Sequence, residues 1–240
     1  MKTIVIIQAR MGSSRLPEKV LKPLGTTDVL NYVTARCKQI QGIEEVIVAT
    51  SVLPQDDAVE KWCREKGIVC FRGAEDDVLD RYVQCAKEYE PEYVIRVTAD
   101  CPFVDFEMAT DIVKLMERER VDLINLAGNL PRGLAVEMIS YKSLLYIHGH
   151  GKEHRHREHV TYYAYEQPKE FSHAAYSVPM DRQYPKLRIT LDTEEDYQVC
   201  QAIADHFQNE LVSSTDVLQF LNDNPDVSKL NAHIVQKPVT

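Results

Sequence analysis

The chain has 240 residues, 44% of them hydrophobic, with 28 Lys and Arg against 37 Asp and Glu for a formal net charge of −9. That length suits one α/β unit with a full core, and the acidic balance disfavours a general nucleic-acid or anionic-membrane surface while leaving room for one local basic site. No apolar run approaches the length of a bilayer span and no signal-like leader opens the chain, so the expected setting is the cytoplasm, with no membrane insertion.

Ile4-Val5-Ile6-Ile7 is an unbroken β-branched run, the pattern of a strand buried on both faces of a parallel sheet. It gives way abruptly to a small and basic loop, Gln8-Ala9-Arg10-Met11-Gly12-Ser13-Ser14-Arg15-Leu16-Pro17-Glu18-Lys19. Open α/β sheets bind ligands in loops at the carboxyl ends of their strands, and Gly12, Ser13 and Ser14 let backbone N–H groups approach an anion. Arg10, Arg15, Lys19 and Lys22 add positive charge, so the loop reads as a phosphate cradle. It has neither the Gly-Lys-Ser/Thr of a Walker A loop nor the three spaced glycines of a dinucleotide fingerprint.

Helical spacing follows over Val29 to Ile40, then a strand at Val46 to Ala49 and a helix from Asp56 through Val59, Trp62 and Cys63. Ile68 to Phe71 reads as a strand, Val78 to Tyr89 as a helix and Tyr93 to Val97 as a fourth strand. This alternation predicts a mostly parallel sheet covered by helices on both faces, a three-layer α/β sandwich with right-handed crossovers. Asp105 reads as the N-cap of a helix from Phe106. Beyond Asp122 to Asn125 the pattern turns irregular, and the segment from Gly128 to Gly151 mixes turns with short apolar pieces. Phe171 to Asp192 holds two strand-like runs, Thr193 to Phe207 an amphipathic helix and Asp216 to Leu221 a short one. The tail reads as a surface strap.

Two carboxylates stand out. Asp100 follows the fourth strand with Pro102 stiffening the turn, a place suited either to Mg²⁺ or to a turn-forming residue. Asp192 precedes a Thr193-x-x-Asp196 pattern and reads either as a helix cap or as a ligand. The six cysteines form no Cys-x-x-Cys pair and read as buried thiols, Cys101 lying in a polar loop without a base beside it. His148, His150, His154 and His156 lack a zinc-binding spacing and read as solvated.

Ala9-Arg10 and Leu16-Pro17-Glu18-Lys19 resemble the N-terminal signature of sugar-acid cytidylyltransferases, and the wording Gln8 to Pro17 looks most like the SpsF branch, the spore-coat polysaccharide biosynthesis proteins. Phe71 to Tyr82, Asp100-Cys101-Pro102, Arg157-Glu158-His159-Val160-Thr161 and Asp192-Thr193-x-x-Asp196 extend the resemblance to about Phe207, with Ala99 where the family usually has Gly. The resemblance implies a Rossmann-like fold of the nucleotide-diphospho-sugar transferase type. Residues 1–210 would form a nucleotidyltransferase domain whose segment at about 128–170 serves the acceptor and dimerisation, with 211–240 as a C-terminal helix and strap. It implies CTP bound by Ala9, Arg10, Gly12, Ser13, Ser14, Arg15, Lys19, Arg72 and Gly73, and Mg²⁺ held by Asp100 and Asp192. Arg10, Lys19, Asp100 and Asp192 would be catalytic, and Arg132, Glu137, Arg157 and His159 would receive a sugar-acid acceptor, neuraminate-, legionaminate- or pseudaminate-like. The implied reaction transfers CMP to that acid with release of pyrophosphate, in a homodimer with no nucleic-acid partner. Two rival expectations are a glycosyltransferase, whose usual Asp-x-Asp would need an acid at Thr98, and a non-catalytic coat-assembly protein.

Overall fold

In the computed structural model, which describes residues 1–236 and 239, the opening β-branched run is strand β1 (Thr3–Gln8), with Ile4 to Ile7 fully buried. After the basic loop, β2 (Pro23–Leu24) and β3 (Thr27–Asp28) form a small antiparallel pair, and Asp28 caps α1 (Val29–Cys37) by accepting from Asn31 N. There follow β4 (Glu45–Ser51), α2 (Asp57–Lys66), β5 (Val69–Gly73), α3 (Val78–Tyr89) and β6 (Tyr93–Thr98). Asp105 caps α4 (Phe106–Glu119) through Met108 N, as the sequence predicts, and β7 (Leu123–Ala127) comes next.

The segment that reads as irregular is ordered. It contains β8 (Glu137–Ser140), α5 (Tyr141–His150) and α6 (His154–Glu158), followed by α7 (Tyr162–Glu166). Four residues are too few to show a period of two, and Gly149 and the histidines blur the apolar stripe of α5. Of the two strand-like runs, only β9 (His173–Ser177) forms a strand; residues near Arg188 reach Arg132 through a single parallel bridge. The chain ends in α8 (Glu194–Phe207), α9 (Ser214–Asp223) and α10 (Pro225–Ser228). α9 begins earlier than its apolar spacing suggests because Ser213 caps it. Part of the expected strap, residues 237, 238 and 240, lies outside the described residues.

Among the described residues, seven of the nine strands form the main sheet in the order β5-β4-β1-β6-β8-β7-β9, all parallel except β8, which inserts antiparallel between β6 and β7. Val5, Ile7, Val48 and Ile95 face one way, toward Leu30 and Val33 of α1 and Ile112 of α4. Ile4, Ile6, Ile47 and Val94 face the other, toward Leu79, Tyr82 and Val83 of α3 and Leu144 of α5. A third cluster joins α8 and α9 to Tyr32 and Phe103, and the buried Arg36 ties α1 to it by donating to the carbonyls of Glu210 and Val212. From β1 the chain builds outward to β4 and β5, then returns to place β6 on the other side. Ligands of open α/β sheets bind outside the strand ends where the order reverses this way. No helix among the described residues is long and apolar enough to cross a membrane.

Candidate active site

The loop after β1 is fixed from several sides. Ala9 N donates to Ala49 O (3.1 Å), Met11 N to Oδ1 of the fully buried Asp56 (2.7 Å), and Glu18 N to Met11 O (3.2 Å). Glu18 holds a left-handed conformation with φ 58°, uncommon for a residue with a side chain, and the chain turns there into a short 3-10 turn, Lys19–Leu21. Lys19 Nζ thereby reaches two carboxylates from distant parts of the chain, Asp100 Oδ2 at 2.8 Å and Asp192 Oδ1 at 2.7 Å.

These carboxylates arrive on segments that are joined to each other. Asp100 follows β6, and its carbonyl accepts from Leu191 N (2.8 Å) and Thr190 Oγ1 (3.1 Å). Gly133 lets the strands of chain close on this junction: its φ is +99°, and a Cβ there would stand 2.6 Å from Thr190 N. Thr193, not Asp192, is the N-cap of α8, in a reciprocal capping box with Asp196. The cap alternative for Asp192 therefore falls, and its side chain is left to the site.

Asp196 is fully buried and does more than cap. It accepts from Arg188 Nε (2.8 Å) and Nη2 (3.0 Å), from Asn231 Nδ2 (2.8 Å) and from Asp192 N (3.0 Å). Arg188 also donates to Asp192 Oδ2 (3.1 Å), which Arg15 approaches at 3.4 Å. The sequence marks Asp196 as a capping partner and as the last member of the Asp192-Thr193-x-x-Asp196 element, but nothing in it points to Arg188 or Asn231. Buried Arg and Asn have no local pattern, and only the fold brings residue 231 to residue 188.

The electrostatics follow from this sharing. Burial works against the Lys19 charge, but Asp100 and Asp192 outweigh it and raise its pKa above 10.5. Burial likewise opposes ionisation of Asp100, and the Lys19 ammonium still holds its carboxyl below the ordinary value. Cys101 sits beside them with its thiol pushed up to about 12 by burial and by Asp100, so it is a neutral thiol at neutral pH.

On the other side of β1, Arg10 pairs with Glu75 at 3.0 Å. A cavity of about 60 Å³ beside it is lined by Gln8, Ala9, Arg10, Val78, Arg81 and Glu158. Gln8 Oε1 and Arg81 Nε, both buried, have no hydrogen-bond partner among the described residues. Such orphaned groups are rare in native structures and call for a ligand or water to complete them. Gly73 lies against Arg81, whereas Arg72 is latched onto α2 by Asp57 (2.7 Å) and Glu60 (2.8 Å) and by the carbonyls of Ser51 and Leu53. Gly12 stands beside Gln55, and Ser13 Oγ accepts from Leu16 N (3.3 Å), while Ser14 is exposed.

The four acceptor-side residues do not converge on one point. Glu137 is ion-paired to Arg96 and accepts from the hydroxyls of Thr161 (2.9 Å) and Tyr165 (2.7 Å). Burial would raise its pKa, but Arg96 keeps it low. His159, half-buried on the same turn as Thr161, has its pKa lowered by burial. Arg157 turns away to the capping Asp77 of α3 and to the His148 carbonyl. Arg132 is exposed beside the Leu187–Ile189 backbone, to which it is hydrogen-bonded. Of the histidines, His148 contacts Asp80 (2.9 Å) and His156 contacts Glu166 (2.6 Å).

The cytidylyltransferase family model matches residues 4–225 of the chain. Over 231 residues the chain is 34% identical to the spore coat polysaccharide biosynthesis protein SpsF of Bacillus subtilis, covering 94% of this chain and 96% of that protein. It superposes on a cytidylyltransferase from Leptospira borgpetersenii with a TM-score of 0.89 at 29% identity, covering 99% of this chain and all of the other. A CMP:2-keto-3-deoxy-manno-octonic acid synthetase solved with CTP shares the fold, with a TM-score of 0.67 at 16% identity over 86% of this chain and 99% of that one. Together with the mostly parallel sheet and the charged site above its reversal point, these matches define the protein as a nucleotidyltransferase. Within that class the chain belongs to the cytidylyltransferase family, as a homologue of SpsF.

Proposed function

We propose that the protein transfers CMP from CTP to a hydroxyl of a sugar acid and releases pyrophosphate, activating the sugar for polysaccharide assembly in the cytoplasm. The observation that carries this is the convergence of Lys19, Asp100 and Asp192 at the carboxyl ends of β1 and β6. Arg10, Arg15 and the N–H groups of Gly12 to Ser14 receive the triphosphate, and Gln8, Ala9, Gly73 and Arg81 border the base. Gln8 and Arg81 offer an acceptor and a donor, the complement of the amino group and ring carbonyl of cytosine.

The family also implies Mg²⁺, and the donor set suits it. Asp100 and Asp192 present hard oxygen ligands within reach of one small cation. No group of three or more His, Cys, Asp or Glu among the described residues forms a cage of its own, and Mg²⁺ ordinarily shares its ligands among one or two carboxylates, substrate phosphates and water. Bound there, Mg²⁺ would offset charge on the reacting phosphate and on the departing pyrophosphate.

The protein's own groups do the rest by position and charge. Lys19 moves from the carboxylates to the α-phosphate, where its ammonium stabilises the charge that builds as the acceptor oxygen bonds to phosphorus. Arg188 and Asp196 keep Asp192 in place while Lys19 moves. The acceptor lies toward Arg132 and the turn of Glu137 and His159, the segment in which the resemblance puts its pocket and the dimer contact.

The test is pyrophosphate release with Mg²⁺, each of the four nucleoside triphosphates and a panel of neuraminate-, legionaminate-, pseudaminate- and octulosonate-type acids. Release that requires CTP together with one acid supports the proposal. Release with another triphosphate, or with a neutral sugar phosphate in place of the acids, overturns it.

A further inference from the structure

Asp100 and Asp192 are held by one ammonium, at hydrogen-bond distance from each, in a site where the Lys19 side chain is only 13% exposed. That ammonium is not there by chance of a flexible side chain. The left-handed Glu18, the Glu18 N to Met11 O bond and the 3-10 turn that starts at Lys19 all fix the backbone from which it extends.

The charges of the cluster balance. Asp100, Asp192 and Asp196 face Lys19, Arg188 and Arg15. A divalent cation arriving alone would meet the Lys19 charge where it needs to sit and would leave the partly buried cluster with two excess positive charges. Arriving with a triphosphate, it brings its own compensation, and the phosphates offer Lys19 another partner.

We propose that Lys19 is a resident counter-ion, occupying the cation position between Asp100 and Asp192 until a nucleoside triphosphate draws it away, so that the divalent cation loads with the nucleotide and not before it. The proposal rests on the reading of Asp100 and Asp192 as the metal-holding pair and goes beyond it by setting the order in which the site fills. A purely structural ion pair would make a different prediction: its loss would weaken the fold and leave metal affinity unchanged.

The experiment titrates Mn²⁺ alone, without nucleotide, into the full chain and counts free Mn²⁺ by electron paramagnetic resonance. Lys19→Met is expected to bind Mn²⁺ about 10- to 100-fold more tightly than wild type, the range of a strong site-to-site coupling. Lys19→Arg, which keeps the charge, stays weak, and Lys19→Met with Asp192→Asn loses the gain. Mn²⁺ should also raise the melting temperature of Lys19→Met more than that of wild type. Should Lys19→Met fail to fold, Lys19→Gln, which retains an amide donor for the carboxylates, takes its place in both measurements.

Equal affinity in wild type and the uncharged variant overturns the proposal. If that shared affinity is high and Asp192→Asn abolishes it, the metal-holding pair survives and only the counter-ion role fails. If the uncharged variant gains affinity that persists in both Asp100→Asn and Asp192→Asn, the metal lies elsewhere and the assignment of the pair is wrong.

Discussion

The half of the molecule around β1 and β6 and the half containing β8 and α5 to α7 both carry many charges, but they use them differently. Around Lys19, charges from three distant segments share partners: one ammonium serves two carboxylates, and one carboxylate, Asp192, is approached by three cations. An anionic ligand can draw Lys19 out of such a network by exchange, because Asp192 keeps Arg15 and Arg188 when Lys19 leaves. In the second half the best-covered ion pairs are closed, Arg96 with Glu137 and Arg157 with Asp77, while Arg155 bridges Glu153 and Glu166 on its outer side. A ligand there has to displace a finished pair or use what stays exposed, such as Arg132. The Lys19 cluster thus leaves Asp192 with further cations when one moves, whereas the Arg96–Glu137 pair has no second ion partner on either side among the described residues.

Glu137→Ala breaks this contrast most severely. Arg96, with its side chain 15% exposed, is left without its partner in a part-buried setting, so a fall of about 2–3 kcal/mol in denaturant-derived stability is expected. A loss below about 1 kcal/mol would show that the pair is not closed at all. Lys19→Ala and Asp192→Asn, by contrast, should lower turnover by about 10²- to 10³-fold, the loss of one preorganised electrostatic partner. Steady-state pyrophosphate release checks this, and turnover within tenfold of wild type in either variant would dissolve the active half of the comparison.

Smaller effects sharpen it. Thr193→Ala removes the cap of α8 and is expected to cost about 1 kcal/mol, read by thermal melting. The pH dependence separates the Lys19 network from its surroundings. Lys19 has a raised pKa, so its contribution is complete below its ordinary value of 10.5 and is lost as pH rises beyond it. Asp100 has a lowered pKa, so its contribution is complete above its ordinary value of 3.8 and is lost as pH falls below it. The melting-temperature gap between wild type and Lys19→Gln should therefore stay constant from about pH 5 to 9 and narrow in strong base. A gap that changes near pH 7 would point to a histidine instead.

Much of the fold is legible in the sequence because its central strands are pure. Ile4 to Ile7 and Val46 to Ala49 are buried on both faces and show it as continuous apolar runs, and Tyr93 to Val97 is broken only by Arg96. β8 is not legible, because Glu137-Met138-Ile139-Ser140 is four residues long and takes its place only through pairing with β6 and β7. Lys19 and Asp100 can be picked out by type and place, in the loops after β1 and β6, whereas Asp192 follows no strand and only the family resemblance separates it from a helix cap. That one ammonium joins them cannot be picked out, since 173 residues separate Lys19 from Asp192 and only the closed sheet measures that distance. Arg72 shows the opposite limit: nothing local says that α2 will supply Asp57 and Glu60 to hold its guanidinium.

The central claim is that the site catalyses attack on the α-phosphorus of CTP. A single turnover with α-³²P-labelled CTP and an accepted sugar acid tests it directly. The account predicts that the label becomes joined to the sugar acid as its CMP derivative while unlabelled pyrophosphate is released in equal amount. Label recovered in CDP, with the terminal phosphate on the acceptor, would contradict it.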